Sequence, residues 1–164
     1  LCHNDLAPWN LLVGDRWLFI DWDAAAPSTR AWDLAYAAQS FTLFAADRDP
    51  NRAAVDLAAL VGGYRADDDL RKVLPDSMAA RTAAMVDLLR TSHVDGVEPW
   101  ASMFRDGHGE YWSAVDTYVR SNRDVWRAAL TTEQQRTGVL LRRKTVHKYV
   151  HVGEQPRILD LWKP

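Results

Sequence analysis

One cysteine, Cys2, stands among the 164 residues, so no disulfide can form within the chain, and such usage fits a reducing compartment. Cys2 is assigned no role. No apolar run approaches the roughly 20 residues that a membrane-crossing helix needs, and no signal-peptide pattern is present. The cytoplasm is therefore the expected location, and a membrane is not an expected partner. The eight glycines form no Gly-x-Gly-x-x-Gly; Gly62-Gly63 is an isolated pair, so no glycine loop here could cradle phosphates alone. The small basic cluster Arg142-Arg143-Lys144, with Lys148, names no groove or base reader without a fold motif, and nucleic acid is not an expected partner.

What is present suits one globular unit. The chain is 48% hydrophobic with eight Trp, enough to bury a single substantial core and short for two domains. Charge is unevenly placed: residues 1–130 hold 13 basic and 19 acidic side chains, net −6, whereas 131–164 hold 7 and 3, net +4. An acidic body would steer a cationic small molecule toward it. A merely solvated acidic surface has the same composition, and its field is screened within about 8 Å at physiological salt.

The densest chemistry lies at the start. His3-Asn4-Asp5-Leu6-Ala7-Pro8-Trp9-Asn10 is followed by Ile20-Asp21-Trp22-Asp23. The intervening residues read as a β-hairpin: Asn10–Val13 as one strand, Gly14-Asp15 as the turn, Arg16–Ile20 as the other. An antiparallel hairpin brings its open ends together, so Asn10 and Asp21 should become neighbours and offer two oxygen ligands to one point. Such a pair suits Mg²⁺, which prefers one or two carboxylates plus phosphate oxygens and water. Pro8 fixes its own φ and drives Ala7 out of helical space, so Asp5 to Asn10 should be an irregular loop. Singly, each Asp is ordinary turn or cap chemistry. Their joint order is that of a phosphoryl-transfer site, with an Asp that takes the hydroxyl proton, an Asn five residues on, and a second metal-holding Asp after the next strand.

With Pro27 and then Trp32-Asp33-Leu34-Ala35, the segment resembles the aminoglycoside phosphotransferase family, the small-molecule branch of the protein-kinase-like fold. The resemblance spans about residues 1 to 130 and is motif-specific over 1 to 36. It implies ATP- or GTP-dependent transfer of a γ-phosphate to a hydroxyl of a small molecule, an aminoglycoside or another small alcohol, with antibiotic resistance one role within the family. Asp5 would be the catalytic base, Asn10 and Asp21 the Mg²⁺ and nucleotide ligands, and His3 a strut supporting the loop. Asp23 would be an auxiliary acidic residue, and Asp33 would brace the catalytic loop from the first turn of its helix.

The same resemblance implies a partner lobe. Kinase-like enzymes hold ATP against a Gly-rich loop and a strand Lys in an amino-terminal lobe. Because His3 comes only two residues after Leu1, the expectation is a mainly α carboxy-terminal lobe with a short β-hairpin, cut from a larger protein and inactive alone. A non-catalytic kinase-like remnant acting as a binding module is the contrasting reading.

Beyond the hairpin the sequence turns helical. Ser28 or Thr29 can cap a helix with an apolar face of Leu34, Ala38, Phe41 and Phe44, and Asp49-Pro50 starts another through Ala54, Ala58, Val61 and Tyr64, ending near Gly62-Gly63. Asp67-Asp68-Asp69 should open a short helix stopped by Pro75. From Asp76 a longer one would bury Met78, Thr82, Met85 and Leu89. A loop from about Ser92 to Gly109 would carry Asp95, Glu98, Trp100, Asp106 and His108, groups able to touch a substrate. A last helix from near Glu110 to Leu130 should bury Tyr111, Val115, Tyr118, Asn122, Val125 and Ala129, beside a stripe of Trp112, Val119 and Trp126.

Residues 1–130 would thus form the catalytic lobe, with a substrate subdomain over 37–130, and 131–164 a basic extension of unassigned role. Thr131-Thr132-Glu133-Gln134 could begin a helix. His147 and His151, four apart, share a helical face but lack a third metal ligand.

Overall fold

A computed structural model describes residues 1–43 and 46–131. Phe44, the capping box beginning at Thr131, Arg142-Arg143-Lys144, His147 and His151 fall, wholly or in their later residues, outside that range. The described residues are mainly helical, with one two-stranded sheet among them. Among the described residues no helix is long and apolar enough to cross a membrane.

The hairpin forms, but its strands are shorter than the apolar runs, and residues 13–17 connect them in place of the expected two-residue Gly14-Asp15 turn. Strands β1 (Leu11–Leu12) and β2 (Leu18–Phe19) pair antiparallel, Leu11 with Phe19 and Leu12 with Leu18. Ile20 N–H donates to Asn10 O at 2.9 Å, extending the contact one step toward the open end. Ala7 is extended (φ −141°, ψ 160°), as the following proline demands. The loop is not wholly irregular, for Pro8–Asn10 makes one 3₁₀ turn with Pro8 in its first position, where a missing N–H costs nothing.

Helix α1 (Arg30–Thr42) is capped by Thr29, whose hydroxyl accepts from Trp32 N–H at 3.2 Å, and it buries residues on nearly every side, Leu34 through Ser40 among them. Helix α2 (Pro50–Gly63) starts as the Asp49-Pro50 pair demands. Its buried face is Ala53, Ala54, Leu57 and Val61, and Tyr64 is exposed.

Helix α3 departs from expectation. It runs unbroken from Asp68 to Asp95, through Pro75, and is capped by the Asp67 carboxylate on Leu70 N–H at 2.8 Å. Pro75 removes one backbone hydrogen bond. Against that, Leu70, Leu74, Met78, Ala79, Thr82, Met85 and Leu89 form one buried face on both sides of the proline, packed on α1 and α5, and a break would split it.

The expected loop from Ser92 to Gly109 is also mostly helical. Gly96 (φ 69°) ends α3 in a left-handed cap. Glu98 accepts from Ser102 N–H at 3.0 Å over the short helix α4 (Trp100–Met103), and a π turn, Phe104–His108, kinks at Gly107 (φ 100°) before α5 (Gly109–Ser121) begins. The breakers act as joints between short helices because Trp100, Met103 and Phe104 pack on the core and hold the segment in. Gly109 lets the Phe104 ring pass, since a Cβ there would lie 2.5 Å from it.

The last helix is two: α5, then α6 (Arg123–Leu130), with Asn122 at the break. Trp112, Val115, Tyr118, Val119, Trp126 and Leu130 are buried, whereas Tyr111, Asn122, Val125 and Ala129 are only partly so. The bend turns the seven-residue Trp112, Val119, Trp126 stripe inward, and Trp126 Nε1 donates to Val119 O at 2.9 Å across the joint.

Candidate active site

The residues around Asp5 are held by bonds from distant parts of the chain. Cys2 and Ala26 exchange backbone hydrogen bonds of 3.0 and 3.2 Å, and Asn4 Nδ2 donates to Ala24 O at 3.0 Å. The loop is thereby stitched to the segment that follows Asp23. From α1 the Asp33 carboxylate accepts from Asn4 N–H at 2.7 Å and from His3 N–H at 3.3 Å.

His3 is buried. Its Nδ1 accepts from Asp5 N–H at 3.3 Å, so the proton sits on Nε2, which donates to Ile20 O at 3.0 Å. One imidazole thus links the loop to the end of β2, with the Trp22 ring 4.5 Å away. Both nitrogens are engaged, which makes His3 a strut here and leaves neither for proton transfer.

Asn10 is buried, and its Nδ2 donates to Asp5 twice, to Oδ2 at 2.8 Å and to the backbone O at 3.0 Å. Both partners are pure acceptors, which fixes the orientation of the amide. The amide oxygen is then the atom of Asn10 left to meet a cation.

Asp21 follows Ile20, the residue bonded to Asn10, and is exposed with φ 61°. The left-handed conformation, tolerated by Asp better than by most residues, ends the strand's alternation of side chains at that point. Its charge reaches Asp5 electrostatically. Asp23 is exposed and takes no part in these hydrogen bonds. The structure therefore brings His3, Asp5, Asn10 and Asp33 into one bonded cluster, sets Asp21 at its rim, and leaves Asp23 outside.

One amide oxygen and one exposed carboxylate fit a hard divalent ion that keeps phosphate and water among its ligands. They do not make an all-protein cage, and among the described residues no group of three His, Cys, Asp or Glu does so.

The Asp5 carboxyl is held above the usual carboxylate range, chiefly by burial and further by the Asp21 charge; hydrogen bonds from Tyr36 and Asn10 and the proximity of His3 oppose that rise. Tyr36 and Arg81 are the residues that sequence reasoning missed. Burial, followed by the neighbouring Asp5 charge, pushes the Tyr36 hydroxyl up. Burial pulls the Arg81 guanidinium down, while Tyr36, Asp5 and Asp33 support its charge. Tyr36 stands three residues after Asp33, on the same side of α1, and that spacing was a usable signal. Arg81 offered none, lying mid-way along α3 and 77 residues from its partner Asn4.

A groove of about 950 Å³ lies elsewhere, between α3 and α6, where Arg71, Lys72, Asp76 and Arg127 line it; Trp32, whose ring faces Arg81, also lines it. No curated protein and no solved structure matches the chain. The model of the phosphotransferase enzyme family, APH, matches residues 1–73, which carry every member of the Asp5 cluster except Arg81.

Proposed function

We propose that the chain is the catalytic, carboxy-terminal lobe of a kinase-like phosphotransferase that moves the γ-phosphate of ATP or GTP to a hydroxyl of a small molecule. The observation that carries this reading is the pair of hydrogen bonds that Asn10 Nδ2 donates to Asp5, inside a loop fixed by Asp33. Asp5 accepts and orients the acceptor hydroxyl; its proton-binding strength, raised by burial, suits it to take that proton as the new P–O bond forms. Asn10 through its amide oxygen and Asp21 through its carboxylate would hold Mg²⁺, which supplies charge neutralisation on the phosphates when bound. His3 and Asp33 keep the loop in place, and alignment provides most of the rate. Asp23, outside the bonded cluster, is an auxiliary acidic residue in this reading.

An amino-terminal lobe supplies the nucleotide's remaining cradle in this reading, and residues 131–164 lie outside the catalytic unit. The acidic charge of 1–130 favours a cationic acceptor such as an aminoglycoside, and the cytoplasm is the proposed location.

The test is thermal unfolding with ATP, with Mg²⁺, and with both. A ligand that binds only the folded chain raises its apparent stability, so MgATP should stabilise at millimolar concentration and ATP without metal should not. A shift that persists in Asp21→Ala, or no shift in a chain extended by its native upstream sequence, would favour the non-catalytic binding module.

A further inference from the structure

Arg81 is placed where a hydrophobic residue would fill space at less cost. It is half-buried within α3, and its Nε is buried without a hydrogen-bond partner. Desolvating a cation is expensive unless something offsets it. Here two aromatic faces do: the guanidinium carbon lies 4.6 Å from the centre of the Tyr36 ring and 5.3 Å from that of Trp32, both on α1. Arg81 Nη2 then donates to Asn4 O at 3.2 Å. Asn4 is left-handed (φ 63°) and immediately precedes Asp5. A backbone in that region persists only where its surroundings determine it.

We propose that Arg81 is a positioning residue for the loop that carries Asp5: wedged between Trp32 and Tyr36 and bonded to the Asn4 carbonyl, it ties α3 to the left-handed turn ahead of that carboxylate. Asp33 holds the amide side of the same turn and Arg81 the carbonyl side, so Asn4 is gripped from α1 and α3 at once. Tyr36 adds to the link, since its ring carries the guanidinium. Lysine could keep the charge and one donor but not the planar stack, so the site calls for Arg. The inference rests on the phosphotransferase reading only in calling this loop catalytic.

Amide hydrogen exchange in the 164-residue chain tests it. The Asn4 amide is bonded to Asp33 and the Asp5 amide to His3 Nδ1, so their exchange reports opening of this turn. Arg81→Met keeps the buried stem and removes the charge, plane and donor. It should speed exchange at Asn4 and Asp5 about ten-fold or more, the loss expected for one charge-assisted hydrogen bond, with α5 amides such as Val119 unchanged. Arg81→Lys should fall between parent and Arg81→Met. Trp32→Leu, which removes one stacking face only, should loosen the same amides by less and serves if Arg81→Met does not fold.

Loop amides that stay within about two-fold of the parent, or that quicken in step with α5, overturn the proposal, the latter because it would mark a purely global packing role. The enzymatic reading is tested apart from this. A chain with no MgATP response but a loosened loop keeps the clamp and removes the enzyme; an intact MgATP response with an unchanged loop does the reverse.

Discussion

Residues 1–29 and the helical residues from Arg30 onward are held together by different means. The first region has two strand pairs, the Cys2–Ala26 bridge and one 3₁₀ turn, and its shape depends on individual polar bonds: Asp33 on two amides, His3 across to Ile20, Arg81 on Asn4. The helical region is held by distributed burial, with Leu57, Leu74, Met78, Leu89, Val115, Val119 and Trp126 wholly enclosed. A network of single bonds makes each residue identity matter for geometry, whereas a packed core tolerates exchange of one apolar side chain for another of similar size. The site sits in the region whose positions are set one residue at a time.

The largest effect that would sharpen this contrast is on chemistry. In the chain joined to the amino-terminal lobe of the proposed enzyme, Asp5→Ala should lower phosphotransfer by roughly 10²-fold or more, the usual worth of a positioned base, while leaving the MgATP thermal shift in place; Asp21→Ala should lose both. Equal losses of folding in the two variants, with turnover otherwise kept, would erase the distinction between their roles.

Next comes the core. Trp126→Ala should cost about 3 to 5 kcal/mol in denaturant unfolding, since it empties an enclosed site and orphans Val119 O. Asp33→Ala should cost less globally, about 2 to 3 kcal/mol, because it frees two amides that can reach water. If Asp33→Ala proved the more damaging to the whole fold, the two regions would be one cooperative unit with the loop at its centre.

A subtler contrast concerns pH. The Asp5 pKa is raised in the folded chain, so its ionisation works against folding: the cost is absent below its unfolded value, grows as pH rises through the folded one, and is complete at neutrality. Asp5→Asn, which can still accept from Asn10, should therefore melt higher than the parent at pH 7, and the difference should vanish toward pH 3. A variant less stable at pH 7 and equal at pH 3 would reverse the sign. The smallest effect belongs to the surface: cutting the exposed Arg90 to Asp87 pair should change stability by less than about 0.5 kcal/mol.

Much of the site was legible because its signals are local. His3, Asp5 and Asn10 lie within one loop, and a short hairpin brings the chain back to Ile20, bonded to Asn10, with Asp21 next to it, so short-range geometry sufficed. Asp33 could be placed because it opens a helix directly downstream. Local rules fail where they meet a larger packing surface. Pro75 is locally a helix stop, yet the apolar face continues across it; Gly96, Pro99 and Gly107 locally favour a loop, yet they joint short helices pinned by Trp100, Met103 and Phe104. In α5 and α6 the periodicity marked two adjacent stripes, and the bend at Asn122 chose between them.

The sequence by itself determined the order of His3, Asp5, Asn10 and Asp21, the hairpin that returns the chain to Asn10, and the capped helix starts near Thr29, Asp49 and Asp67, because each depends on bonds spanning a few residues. Only the tertiary structure decided that α3 passes through Pro75 and that Arg81 reaches Asn4 between two aromatic rings. Both follow from surfaces far apart in the chain closing on each other, and the burial gained there outweighs what either local backbone would prefer.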